Sequence, residues 1–341
     1  MSLSSNGNDL KHHTYCFPIE EETQIGQVRR FATLLSERLQ FNETRKGRVG
    51  IIVSELCTNL LKYSKDGEIL VRIIDRGVGL GLEFLTVDRG PGIEDIEQAM
   101  SDGFSTGQSA GIGLGAIKRQ SDQFDIFSIP AKGTIILSVI FAHDNQKQPL
   151  FNYGAISIPI HGEVVCGDAW CSTEKEDSLD ILMSDGLGHG PLAEKASLDA
   201  ISELKNNKAY PVDQILKKID GRLKGSRGAA VFLLRWHNRK KIDYVSLGNI
   251  RAVIQTQEKM KTLISQNGTA GLRIPNLKVF NQDWSGEGFL ILHSDGINTR
   301  WDLSTYPGLM NCHPGIIAGL IYRDFSRNSD DATVFVLKGS N

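Results

Sequence analysis

A polar break, HDNQKQPL at 143–150, follows an unbroken apolar run, TIILSVIFA, in a chain of 341 residues. That length is generous for one core and comfortable for two, so the break reads as a linker between domains at 1–142 and 151–341. The two sides have different patterns. Before the break come a strand near 15–19, two helices, the strand-like runs EILVRIID and GLEFLTVD, a loop-rich stretch, a helix near 112–121 and a hairpin, FDIFSIPAKGTIILSVIF. Val49, Ile52, Val53, Leu56 and Leu60 recur at helical spacing and predict one buried face on the second helix. After the break, AISIPI, EVVCGDAW, LDILMSD, AAVFLLRW, KIDYVSL, GFLILHSD and ATVFVLK read as strands, with helices near 191–205, 212–223 and 314–325. The expected fold class is α+β in two domains. The first is a sandwich of helices on a sheet, the second packed sheets with helices outside.

Several function classes fall away. A net charge of -2 gives no electrostatic footprint for nucleic acid or a membrane surface. No apolar run approaches the roughly 18 residues of a membrane helix. The start, MSLSSNGNDLKHH, lacks an apolar signal core, so a cytoplasmic location is expected. Its His12 and His13 read as part of a frayed terminus. Five cysteines, odd in number and without CxxC spacing, fit free thiols better than a disulfide frame or zinc site.

There is no GxxxxGK[ST], so a P-loop is not supported. Three other features stand in order. Glu55 and Asn59, four apart, share a helical face, where a carboxylate beside an amide oxygen could bind Mg²⁺ and orient an attacking hydroxyl. Asp88 ends an apolar strand and opens DRGPGI, where Gly90 and Gly92 allow close backbone approach and the carboxylate can accept from an adenine amino group. Gly111, Gly113 and Gly115 open a helix whose free N–H groups suit phosphate oxygens. Singly these fit a solvated helix face, a turn and a loose loop. Together they point to a nucleotide.

The runs SELCTNLLKYSKDGEI, DRGPGI and FSTGQSAGIGLGAIKRQSDQF resemble the GHKL ATPase superfamily, which includes histidine kinases, and within it the RsbT branch of anti-sigma-factor kinases. The resemblance implies a mixed sheet with helices on one face, and ATP-dependent phosphorylation of serine or threonine on STAS-domain proteins. It implies that Glu55 is the catalytic base, Asn59 the Mg²⁺ ligand and Asp88 the adenine reader. Gly111, Gly113 and Gly115 would line the phosphates, and Gly90 and Gly92 would shape the base pocket. Only about 13 residues precede the first strand, so the phosphoacceptor helix of a histidine kinase is not expected.

The second half carries acidic residues at strand edges: Asp168 in CGDAW, Asp185 in SDGLGHG, Asp295 in HSDGI, and Asp330–Asp331 in SDDATVF. A single Asp-Gly would be read as a turn. Two SDG motifs after apolar strands and a DD before another suggest carboxylates gathered at one place. At about 4 Å each such pair costs on the order of 4 kcal/mol at an effective dielectric of 20. Cations are needed to hold them, and oxygen-only donors favour Mg²⁺ or Mn²⁺.

The GD, DGxGHG, SDG and DDxT motifs resemble metal-dependent phosphatases of the protein phosphatase 2C class, in the SpoIIE/RsbU/RsbX group. The resemblance implies two Mn²⁺ or Mg²⁺ ions held by Asp168, Asp185, Asp295 and Asp330, with Asp331 beside it. Asp185 would bridge, the Gly186 carbonyl would contribute, and Asp185 and Asp295 would be essential to catalysis. His189 has either a loop-packing or a catalytic role. No arginine matches the phosphate-holding arginine of animal members, so that role is unassigned. The expected whole is a bifunctional switch acting on a STAS-domain partner. Two alternatives stand beside it: an ATP-binding module that sequesters a sigma factor or other output protein, and a phosphatase whose ATP domain only senses nucleotide.

Overall fold

The computed structural model describes residues 13–75, 79–101, 113–143, 149–175 and 177–339; Gly111, His12 and most of the 143–150 break lie outside them. Contacts group Met1–Leu150 with Tyr306–Arg323 as one unit, and Phe151–Thr305 with Asp324–Asn341 as the other. Where the sequence suggests a single cut, the first unit therefore draws a segment from far down the chain.

In the first unit, α1 (Glu22–Arg38) opens with a reciprocal cap between Glu21 and Gln24. The Asn42 side chain caps α2 (Glu43–Tyr63) by accepting from Arg45 N at 2.9 Å. All five residues of the expected α2 face are buried, joined by Cys57. They pack with Val28, Ala32 and Leu35 of α1 onto one face of a sheet built from β1 (Tyr15–Pro18), β2 (Glu68–Asp75), β3 (Leu80–Val87), β4 (Gln123–Ile129) and β5 (Gly133–Phe141). Two short helices, α3 (Ile96–Met100) and α4 (Gly113–Gln120), precede β4.

The strand order is β1-β2-β3-β5-β4, and every pairing is antiparallel rather than mixed. The connections explain this correction. Few residues separate β2 from β3, a short turn joins β4 to β5, and two helices, not one, separate β1 from β2, which returns the chain to the sheet end it left.

The far face of this sheet is also apolar and buried, through Leu70, Leu85, Val87, Ile135, Leu137 and Val139. It holds a buried ion pair, Arg72 Nε to Glu83 Oε1 at 2.6 Å, on directly opposed residues. Tyr306–Arg323 covers it. This segment contains most of α7 (Pro314–Phe325), and a methyl added at Gly319 would meet Leu85 Cδ2 at 3.0 Å and Ile135 and Val87 at 3.4 Å. His313 N donates to Asp125 Oδ2 at 2.5 Å, Tyr322 Oη donates to Glu68 Oε2 at 3.1 Å, and Lys132 Nζ lies 5.0 Å from the Tyr306 ring centroid. Helices on one face alone were expected; the apolar alternation on both faces requires this second cover.

The second unit is a sandwich of two five-stranded sheets. One is ordered β13-β10-β9-β8-β7, from β7 (Asp168–Glu174), β8 (Ser178–Gly186), β9 (Ala229–His237), β10 (Lys241–Leu247) and β13 (Phe280–Asp283). The other is β12-β11-β14-β15-β6, from β6 (Asn152–Ile158), β11 (Arg251–Gln255), β12 (Met260–Thr262), β14 (Phe289–His293) and β15 (Ala332–Lys338). Between them lie Trp170, Met183, Phe232, Trp236, Tyr244, Leu290 and Phe335. On the outer face of the first sheet, α5 (Pro191–Asn206) and α6 (Val212–Leu223) set Ala200, Leu204, Ile215 and Ile219 against Leu182, Val231 and Leu233. No helix among the described residues is long and apolar enough to cross a membrane.

Candidate nucleotide and metal sites

In the first unit a cavity of about 490 Å³ opens between α2 and the β3 end, lined by Leu56, Asn59, Tyr63, Asp88, Ile93 and Thr134 among others. Asp88 stands where β3 stops. Its Oδ1 accepts from Gly90 N at 2.7 Å and Thr134 N at 3.3 Å. Burial pushes its carboxyl above the ordinary range, opposed by those two bonds and by the Arg323 charge. One oxygen is thus fixed by backbone, leaving the other to accept from a ligand.

Glycines shape this corner. Gly92 has φ +73 and Gly133 φ +87, and a Cβ at Gly133 would lie 2.0 Å from Asp88 O. A Cβ at Gly90 would lie 2.5 Å from Tyr63 O. Gly133→Ala is therefore expected to cost about 1–3 kcal/mol of stability and to loosen Asp88. Thermal melting and titration with a fluorescent nucleotide check this. An unchanged melting temperature would show that the turn tolerates a side chain.

Asn59 and Gly113 line the cavity, and Glu55 stands beside Gly113. The Cβ position of Gly113, first residue of α4, lies 3.0 Å from Glu55 Oε2 and 3.6 Å from Asn59 Oδ1. A side chain at Gly113 would press on the ends of Glu55 and Asn59 where the helix N-terminus approaches them. Gly115 is buried one half-turn on, and Gly111 lies outside the described residues.

In the second unit the acidic residues converge as the motifs suggest. Asp168 and Asp185 are directly opposed on β7 and β8. Asp295 follows β14, and Asp330 and Asp331 precede β15, its partner strand. The Ser294 N to Thr333 O bond of 3.0 Å and the closeness of Gly296 to Asp331 O bind these two ends together.

Burial first, then repulsion from Asp295, Asp330 and Asp331, pushes Asp185 up to about 7. Burial and the Asp185 charge raise Asp168. Burial and Asp330 raise Asp295, with Arg327 and a bond from Asn249 opposing. Gly186 sits against the first turn of α5, where a Cβ would lie 2.2 Å from Ala193 O.

Asp331 and Asp330 differ. Asp331 is 2% exposed and accepts from Ile160 N and Gly167 N, each at 2.8 Å, so its carboxylate braces loops. Asp330 is less buried, and one of its oxygens accepts only from the next backbone N–H, Asp331 N, at 2.9 Å. His189 is exposed and hydrogen-bonded to Glu163 at 2.7 Å, near enough to the cluster for its charge to oppose the rise that burial gives Asp331.

These residues fit a hard divalent cation. Asp168 Oδ2 is fully buried with no hydrogen-bond partner, an arrangement that needs either a proton or a cation. Among the described residues no three ligating side chains already form a closed set. The donors are nonetheless all carboxylate or carbonyl oxygen, at mutual repulsion that a cation relieves.

Several participants escaped sequence reasoning. Thr134 is the second residue of β5 and carries no motif. Asn249, whose Nδ2 donates to Asp295 Oδ2 at 2.6 Å, follows an apolar strand in LGNI. That is the same strand-end signal as SDG and could have been found. Arg323 and Arg327 have no local signal, since their neighbours are set by tertiary pairing.

Residues 17–139 match the family described as the histidine kinase-like ATPase domain. Serine/threonine-protein kinase RsbT of Bacillus subtilis (strain 168) is 35% identical over 125 residues, covering 36% of this chain and 93% of that protein. Phosphoserine phosphatase RsbX of the same organism is 25% identical over 140 residues, covering 40% of this chain and 70% of RsbX. A crystal structure of RsbX in complex with magnesium superposes with a TM-score of 0.51 at 20% identity, over 57% of this chain and 98% of that one, a likeness of fold.

By these matches and the architecture of its first unit, the chain belongs to the histidine kinase-like ATPase family, on its RsbT side. It is a fusion of such a kinase-type domain with a domain of the RsbX phosphatase type.

Proposed function

We propose that this protein is a bifunctional partner-switching regulator. One half transfers the γ-phosphoryl group of ATP to a serine or threonine of a STAS-domain protein, and the other half removes it. The observation that supports this best is the presence in one chain of residue sets suited to both chemistries. Asn59 and Gly113 line a nucleotide cavity with Glu55 beside Gly113, and a buried carboxylate set holds an orphaned oxygen. Intact Glu55 weighs against a purely sequestering ATP module, which needs no base.

In the kinase half, Asp88 and Thr134 hold the base, and the glycines at 113 and 115 line the phosphates. Glu55 takes the proton of the attacking hydroxyl, and Asn59 would hold Mg²⁺. In the phosphatase half, Asp168, Asp185, Asp295 and Asp330, with the Gly186 carbonyl, would hold two Mn²⁺ or Mg²⁺ ions, which supply an acidified water for attack on a phosphate ester. Asn249 orients Asp295 from the side, and Asp331 braces the loops around the cluster.

The test is incubation of the wild-type protein with ATP, Mg²⁺ and a STAS-domain protein, followed by nucleotide assay and intact-mass measurement of the partner. ATP should be consumed while little phosphorylated partner builds up. Tight ATP binding without turnover would instead assign the first half to sequestration, and stoichiometric accumulation of phosphopartner would give the phosphatase half another substrate.

A further inference from the structure

Arg323 is 6% exposed, in a chain region about 180 residues beyond the match to the ATPase family. Its Nη1 donates to the main-chain oxygen of Asp88 at 2.8 Å. In return the Arg89 guanidinium donates to the main-chain oxygen of Arg323. The two residues that open DRGPGI are therefore clamped from behind by one residue of the covering segment.

A buried guanidinium is costly unless its charge and donors are used. Here they act on the peptide that presents the base-reading carboxylate. The Asp88 oxygen lies where a strand has ended and its ladder can no longer supply a donor, so a donor must come from elsewhere. The same cation stands close enough to oppose the effect of burial on Asp88. The segment carrying Arg323 is itself pinned at His313, Tyr322 and Gly319, so the guanidinium is held in place.

We propose that Arg323 is a positioning residue of the nucleotide site: it fixes the Asp88 peptide so that the carboxylate meets the exocyclic amino group of adenine. This rests on the nucleotide-site reading above. Base selectivity of the kinase half thus depends on a residue from the end of the chain. Loss of the clamp lets the carboxylate swing, which weakens a ligand that donates to it from an exocyclic amino group and leaves one without that group nearly unaffected.

The experiment measures dissociation constants of ATP and of inosine triphosphate, which has an oxygen in place of the amino group, for the full-length wild-type protein and the Arg323→Ala and Arg323→Lys variants. Thermal melts serve as the folding control. Wild type should prefer ATP. Arg323→Ala should lose about tenfold in ATP affinity with inosine triphosphate binding unchanged, the size of one charge-assisted hydrogen bond. Arg323→Lys, which keeps the charge and one donor, should recover part of the preference.

Equal losses for the two nucleotides would reduce Arg323 to a structural residue, and no loss for either would remove it from the site. Should Arg323→Ala fail to fold, the preference ratio in Arg323→Lys decides: a ratio equal to that of wild type overturns the proposal. Wild-type protein that binds neither nucleotide would overturn the nucleotide reading itself, a result distinct from the others.

Discussion

Asp185→Asn is expected to abolish phosphatase activity in any divalent metal, and to make the metal-free protein more stable. Asp185 faces Asp168 across paired strands and feels three further carboxylates, and its carboxyl is pushed up to about 7. In the native state it therefore keeps its proton where the unfolded chain has lost it. The native state binds more protons between about pH 4 and 7, so the stability of the metal-free protein falls as pH rises through that window. At about 1.4 kcal/mol per pKa unit, the strain is on the order of 4 kcal/mol above that window. Asparagine removes the charge and, in the metal-free state, should raise the melting temperature by several degrees. The same change deletes the proposed bridging ligand, so Mn²⁺ should raise the melting point of wild type but not of the variant. Calorimetry with and without metal at pH 8, beside phosphate release, makes the comparison. A variant no more stable than wild type without metal would show that these carboxylates do not repel as described.

Glu55→Gln should slow phosphoryl transfer by about 10²–10⁴-fold while nucleotide affinity stays within a fewfold of wild type. Glutamine preserves shape and hydrogen bonding beside Gly113 but cannot accept a proton. Asn59→Ala should do the reverse, weakening Mg²⁺-dependent ATP binding. Label transfer from ATP to the partner, read beside calorimetric titration of the nucleotide, separates the two. Transfer at the wild-type rate by Glu55→Gln would remove this residue as the base.

Much of this was legible in the sequence where local pattern and burial coincide. The α2 face, the strands 68–75 and 332–338, and the helix 212–223 emerge as read, because each has a clean period and strong end signals. The carboxylate cluster was readable because each member ends or begins an apolar strand beside glycine or a second aspartate. Short elements were not. Met260–Thr262 is exposed throughout, and Phe280–Asp283 alternates without a buried residue, so neither has the apolar signature of a strand. EVVCGDAW reads as one strand, yet pairing begins only at Asp168, since Asp331 holds Gly167 N in a loop. The pairing of β3 with β5 and the clamp on Asp88 depend on contacts about 50 residues apart and far beyond, which no local spacing encodes.

The cover on the far face of the first sheet bears on how such a gene could change. Leu85, Val87, Ile135 and Leu137 are buried by residues that the chain reaches only after passing through most of its second half. Recombination at the 143–150 break would transplant an ATPase with an apolar wall open to water, and such walls recruit other proteins or aggregate. The two halves are thus not interchangeable cassettes, and they travel as one heritable piece. Substitutions in Tyr306–Arg323 are tolerated only when they suit the sheet they cover, while seven residues after Arg323 the chain must deliver Asp330 to the acidic cluster. Drift in that short stretch is restrained from both directions.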